Sequence, residues 1–145
     1  MQNTRLCAVP GWSVGLVEPM RIMPQQGHGK VVGERQQLEE GSTPREYLRT
    51  LSTPPCEGET GWTPEDFLAH FTTLLETTDE ASHDRHDGNA LWLLGSYMPY
   101  SMPHAQLVPV GYWDRDVGRR LRLTAHRTGN RLRGWVARSM VRLGA

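Results

Sequence analysis

Three stretches of the chain carry residues that could do chemistry. The first is Ser82-His83-Asp84-Arg85-His86-Asp87-Gly88. Imidazoles and carboxylates this dense can ligate a divalent metal or relay protons. His83, His86 and Asp87 are the candidate ligands, and His28 or His104 would complete the set from elsewhere in the fold. The plainer reading is a solvated polar loop. The second stretch is Arg119 to Arg138, RRLRLTAHRTGNRLRGWVAR. Arginine suits planar, bidentate pairing with carboxylate or phosphate. Trp135 can stack on a base or support a cation–π contact. Arg120, Arg122, His126, Arg131, Arg133 and Trp135 are the candidate contacts here. The third runs from Tyr97 to His104. Tyr97, Met98, Tyr100 and Met102, with two Met-Pro pairs, give adaptable apolar contact area of the kind found at protein interfaces.

Other chemistry finds no support. There is no G-x-S-x-G elbow and no cysteine in an activating motif. Gly27-His28-Gly29-Lys30 lacks the spacing of a phosphate-cradling loop, and Val31 and Val32 stand where that loop needs a hydroxyl. It reads as an exposed turn. Cys7 and Cys56 are too few for a disulfide framework and read as reduced thiols of a cytoplasmic protein. No catalytic residue and no cofactor is expected. No window approaches 18 consecutive apolar residues, so no membrane span is expected, and the N-terminus lacks a signal-peptide layout.

The charge is unevenly spread. Net charge is zero, yet residues 1–90 hold 7 Lys+Arg against 14 Asp+Glu, and residues 91–145 hold 9 Arg against 2 Asp. Either the basic half meets an acidic partner, or the halves neutralise each other.

These residues need elements to position them. In Arg119–Arg138, Leu121, Leu123 and Ala125 alternate with Arg120, Arg122, Thr124 and His126. Beyond Thr128-Gly129-Asn130, Leu132, Gly134 and Val136 alternate with Arg131, Arg133, Trp135 and Ala137. Two period-2 runs around a Gly-Asn turn signal predict a hairpin with an apolar face and an arginine face. Parity allows a loop of two or four residues and excludes three. A helix competes, because Leu132, Trp135, Val136, Met140 and Leu143 also have helical spacing, although Gly134 would weaken it by about 1 kcal/mol.

Thr43-Pro44-Arg45-Glu46 and Thr63-Pro64-Glu65-Asp66 carry the same helix-start chemistry: Thr at N-cap, Pro at N1, an acid at N3. They predict a shorter helix over about 44–51 and the main helix over about 64–77. The latter has an apolar stripe of Phe67, Leu68, Phe71, Leu74 and Leu75, with His70 beside it. Residues 12–17 read as a half-buried strand, 20–23 and 30–32 as short strands, and 34–42 as a polar connector or short helix. Leu91 to Leu94 reads as a buried strand. Gln106 to Trp113 reads as another, which Pro109 confines to an edge or a bulge. The last 55 residues then form a four-stranded antiparallel meander.

The expected architecture is one α+β domain over 1–145, an antiparallel sheet with a C-terminal meander packed on the main helix. The expected function is that of a small non-enzymatic interaction protein, an accessory, regulatory or inhibitory subunit. It would bind an acidic protein surface or a ribonucleoprotein through the arginine-rich hairpin face. A metal-dependent hydrolase and a direct nucleic-acid binder are the alternatives.

Overall fold

The computed structural model describes residues 14–18, 23–32, 34–84, 89–96, 98–99 and 106–143. Both Thr-Pro segments start helices, α1 at Pro44–Leu51 and α2 at Pro64–Thr78. Each opens with a complete capping box. The Thr43 hydroxyl accepts from the Glu46 amide while the Glu46 carboxylate accepts from the Thr43 amide, and Thr63 and Asp66 repeat the exchange. Proline fits at the first helical position because that amide has no acceptor within the helix. α2 ends at Asp79 in the left-handed region, φ 55°, a standard way to stop a helix. Phe67 and Phe71 turn inward and are buried. Leu68, expected in the same stripe, is 37% exposed.

The strands form three antiparallel groups. β1 (Val14–Val17), β10 (Ser139–Leu143) and β4 (Glu59–Gly61) make a three-stranded sheet in the order β1-β10-β4. β2 (Val31–Val32) and β3 (Arg35–Gln36) make a small hairpin, so the 34–42 connector begins as a strand. The larger sheet contains β5 (Leu91–Trp92), β6 (Met98–Pro99), β7 (Gln106–Asp114), β8 (Arg120–Arg127) and β9 (Val136–Ala137). β7 is its spine, with β8 along one edge and β5 and β6 sharing the other. β9 runs parallel to β5. The class is α+β with antiparallel sheets.

The hairpin expected around Gly129-Asn130 does not form, whereas the preceding pair of the expected meander does. β8 pairs with β7 through eight consecutive residues, from Leu107–Arg127 to Asp114–Arg120. The connection is 115–119, where Gly118 and Arg119 take positive φ of 79° and 48°. Residues 130–143 are neither the second arm of that hairpin nor a helix. Gly134 has φ 75°, a conformation foreign to both. The chain turns there and delivers Val136–Ala137 to the far side of β5. The meander therefore has three members rather than four. β1 also differs from expectation: all four of its residues are exposed, not half-buried.

Pro109 lies inside the spine, which the ladder should resist. Its carbonyl accepts from the Leu93 amide at 2.9 Å. In a strand the amide and carbonyl of one residue point to the same side, so the missing N–H faces that neighbour too. There the neighbouring chain is interrupted: β5 ends at Trp92 and β6 begins at Met98. The proline thus sits in a central strand, opposite the break between β5 and β6, rather than on an edge.

Gly111, two residues on, decides how α2 docks. The Phe67 ring lies directly over it, and a Cβ at position 111 would overlap the ring. Phe71 stacks on Trp113 at 5.4 Å, so two successive inward turns of α2 rest on one face of β7. Leu91, Val136 and Phe67 are completely or almost completely buried on this face. Gly111→Ala is expected to destabilise the protein by about 1–3 kcal/mol through overpacking. Phe67→Leu should relieve part of that loss. A double-mutant cycle by urea unfolding checks it, because independent losses that simply add would mean the two sites do not touch.

Candidate interaction surface

Alternation along β8 places Arg120, Arg122 and His126 on one face. Arg122 is spent on its own sheet, its Nε 3.0 Å from the Asp114 carboxylate of β7. Arg120 is exposed at the turn end. His126 meets Trp135 after all, although by another route than a shared hairpin. Both rings pack with Trp92, at centroid distances of 4.9 Å for His126–Trp135, 4.9 Å for Trp92–Trp135 and 6.1 Å for Trp92–His126. Trp92 is fully buried beneath them. Trp135 therefore serves the core more than it offers a stacking platform.

Arg131 and Arg133 leave the β8 face, and Arg131 reaches the start of α1. Arg131 donates to both Glu46 oxygens at 2.6 and 2.8 Å and to the Gly41 carbonyl at 3.1 Å. Glu46 holds the Thr43 amide at the same time. That backbone hydrogen bond, the one from the Thr43 side chain, and the nearby Arg131 and Arg49 charges together hold its pKa below the usual carboxylate value. Arg133 is exposed and has no ion-pair partner among the described residues. It borders an open groove of about 460 Å³ that also takes in Gln25, Glu40 and Arg131.

The opposite wall of the groove is built from the 25–29 turn. Gly27 and Gly29 donate their amides to the two oxygens of Glu39 at 2.7 and 2.8 Å. The glycine loop does cradle an anion, and that anion is the chain's own carboxylate. Tyr47 of α1 donates its hydroxyl to the Glu39 carbonyl, and burial pushes its pKa up to about 12. Turn, connector and helix are thereby joined.

Three further arginines border the same region. The Arg45 amide donates to the Thr128 carbonyl at 3.2 Å, which brings the first turn of α1 against the end of β8. Arg45, Arg49 and Arg127 are all exposed, and none has an ion-pair partner among the described residues. The sequence motif located α1 but gave no sign that its outer side would continue a surface begun 80 residues later.

Other arginines of the basic half are paired with acids of the first 90 residues: Arg131 with Glu46, Arg142 with Asp66 and Arg115 with Asp84. Glu46 and Asp66 are the N3 acids of the two capping boxes. Neutralisation between the halves is thus realised at particular residues; among the described residues Arg45, Arg49, Arg127 and Arg133 are left over toward α1, and Arg119 and Arg120 at the turn end of β8.

The histidine cluster is only partly described. His86, Asp87 and His104 lie outside the described residues, as do Tyr97, Tyr100 and Met102. Met98 lies in β6 beside Leu107. His28 is exposed on the 25–29 turn. His83 is buried, with φ 55°. Its ring is 5.9 Å from Phe67 and 6.4 Å from Trp62, and its Nε2 has no hydrogen-bond partner among the described residues. Asp84 is buried and ion-paired with Arg115. Among the described residues no group of three or more His, Cys, Asp or Glu is placed to hold a metal ion, and no helix is long and apolar enough to cross a membrane.

No family model, no curated protein and no solved structure matches the chain.

Burial, with the nearby charges of Arg138 and His70, lowers the His83 pKa from 6.5 to about 3. Burial lowers that of His70 as well. Below pH 6.5 the unfolded chain binds a proton that the folded chain refuses, so stability falls as pH falls. The contribution is complete above 6.5 and is lost progressively toward 3. Between pH 7 and pH 5, where most carboxylates stay ionised, the loss is expected to be about 2 kcal/mol. His83→Asn, which tolerates the left-handed backbone, should flatten that part of the profile. Urea titrations at the two pH values measure it.

Proposed function

We propose that this is a small non-enzymatic interaction protein that docks on an acidic surface of a larger protein. The docking surface is formed by Arg45, Arg49, Arg127 and Arg133 around the start of α1 and the end of β8. The observation that carries this reading is the residue of unpaired charge. In a chain of zero net charge, Arg45, Arg49 and Arg127 are exposed around the start of α1 and the end of β8, Arg133 is exposed on the nearby groove, and none of the four has an ion-pair partner among the described residues. Guanidinium groups fixed at a helix start and a strand end present planar donors to carboxylates with little further ordering.

Two features favour a protein partner over nucleic acid. Glu40 and Glu46 lie among the arginines, so the surface is mixed in sign rather than a uniform track for phosphates. Trp135, the one aromatic side chain that sequence reasoning assigned to base stacking, is engaged with Trp92 and His126. The free, buried Cys56 supports a cytoplasmic setting.

Capture of partners from a cell lysate on the immobilised full chain tests the proposal. The expected result is a retained acidic protein whose affinity falls as salt rises. Replacing Arg45, Arg127 and Arg133 together with Glu should weaken that binding by roughly a hundredfold or more, with the circular dichroism spectrum unchanged because all three are exposed. Retention that survives this charge reversal overturns the proposal. So does retention abolished by nuclease, which would assign the surface to nucleic acid.

A further inference from the structure

The three-stranded sheet leaves one face open. Directly opposed residues of an antiparallel pair share a face. Val14 opposes Leu143, and Leu16 opposes Val141, so these four side chains form one block. They are exposed by 56, 49, 56 and 40% respectively. The other face of the sheet carries Met140, which belongs to the core. The block has a polar border: Arg35 bonds Glu18 at 2.9 Å and Ser139 at 3.1 Å, and pairs with Glu59. An apolar centre beside a polar border is how interfaces are built.

We propose that two copies of the chain pack on each other through this face, sheet against sheet, as an isologous dimer. This inference is independent of the arginine surface. Four half-exposed Val and Leu side chains present roughly 350 Å² of apolar area, about as large a patch as a soluble monomer leaves open. Two copies together remove roughly 700 Å² from this centre alone. That centre falls short of the roughly 1,000 Å² of a standard specific interface, so the dimer is a weak, transient one.

The face suits its own copy for electrostatic reasons. A two-fold axis lays Val14, Leu16, Val141 and Leu143 on themselves, so no charge enters the centre. The chain has zero net charge, so no long-range repulsion opposes the approach. β1 also has an edge, uncharged from Val14 to Val17 and unpaired among the described residues on the side away from β10. Edge pairing there would join two patches into a larger exposed one. Face packing removes them from water, which selects it on burial.

Sedimentation velocity on the full chain over a range of micromolar concentrations tests this. The expected result is a concentration-dependent shift toward twice the monomer mass. Leu16→Lys and Leu143→Lys should each hold the protein monomeric, with unchanged circular dichroism because both positions are about half exposed. Leu143 is on β10, the middle strand, so it reports on the face and not on the edge. Wild type that remains monomeric throughout the range overturns the proposal. Leu143→Lys that dimerises like wild type also overturns it, and if Leu16→Lys is then monomeric, the contact is edge pairing. Capture of a different protein on this face by a chain that never self-associates overturns it equally.

Discussion

The contact on which the molecule depends is the Phe67 ring over Gly111. β7 is buried from Val108 to Tyr112, so something must cover both faces of the spine. On one face Gly111 leaves a hollow that α2 fills with Phe67, and Phe71 follows onto Trp113. A side chain at 111 would lift the helix from the sheet by more than packing tolerates. On the other face Trp92, Trp135 and His126 form the cover. The central strand is therefore defined by where it lacks a side chain as much as by where it has one.

A second constraint joins the two ends of the chain. The acids at N3 of α1 and α2 each do two things. They satisfy an amide at the helix start, and they receive an arginine from the last 15 residues, Arg131 on Glu46 and Arg142 on Asp66. Local helix capping needs only the acid. Once it is placed, its remaining lone pairs are a fixed acceptor for a guanidinium. The acidic first half and the basic second half are held in register by groups whose primary role is to start helices. Among the described residues the arginines without an ion pair fall in two places, Arg45, Arg49, Arg127 and Arg133 toward α1 and Arg119 and Arg120 at the other end of β8.

Elements whose cause is local were legible in the sequence. Both helices fall where Thr, Pro and an acid at fixed offsets place them, and α2 extends one residue beyond the expected end. Leu91–Leu94 is buried as its density implied, whereas Pro109 lies in a central strand, not on an edge, facing the break between β5 and β6. What failed was pairing. Parity correctly put Arg120, Arg122 and His126 on one face of β8, and the meander's pairing with 106–114 formed, but the second arm expected at 131–137 did not. Residues 106–114 offer an uninterrupted partner along the whole of β8. Residues 131–137 cannot, because Gly134 turns the backbone away at φ 75°. A strand is recognised by its own residues. Its partner is chosen by competition across the whole chain, and that competition leaves no local trace. The arginine surface was half-visible for the same reason. Arg133 was named from its own segment, whereas Arg45, Arg49 and Arg127 joined it only through tertiary contact.

The two open surfaces differ in how water and salt act on them. The arginine surface attracts through charge, so its interactions weaken as counterions screen it. The β1–β10 face attracts by losing contact with water, and salts that are excluded from protein surfaces strengthen it. They also sit on different parts of the fold. One is built from α1 and the end of β8, and the other from the outer face of the small sheet. A chain of this size can therefore self-associate through one surface while the other stays open to a partner, and a dimer would present the arginine surface twice. Two copies of a weak charged contact on one assembly raise the effective concentration of the second once the first is made.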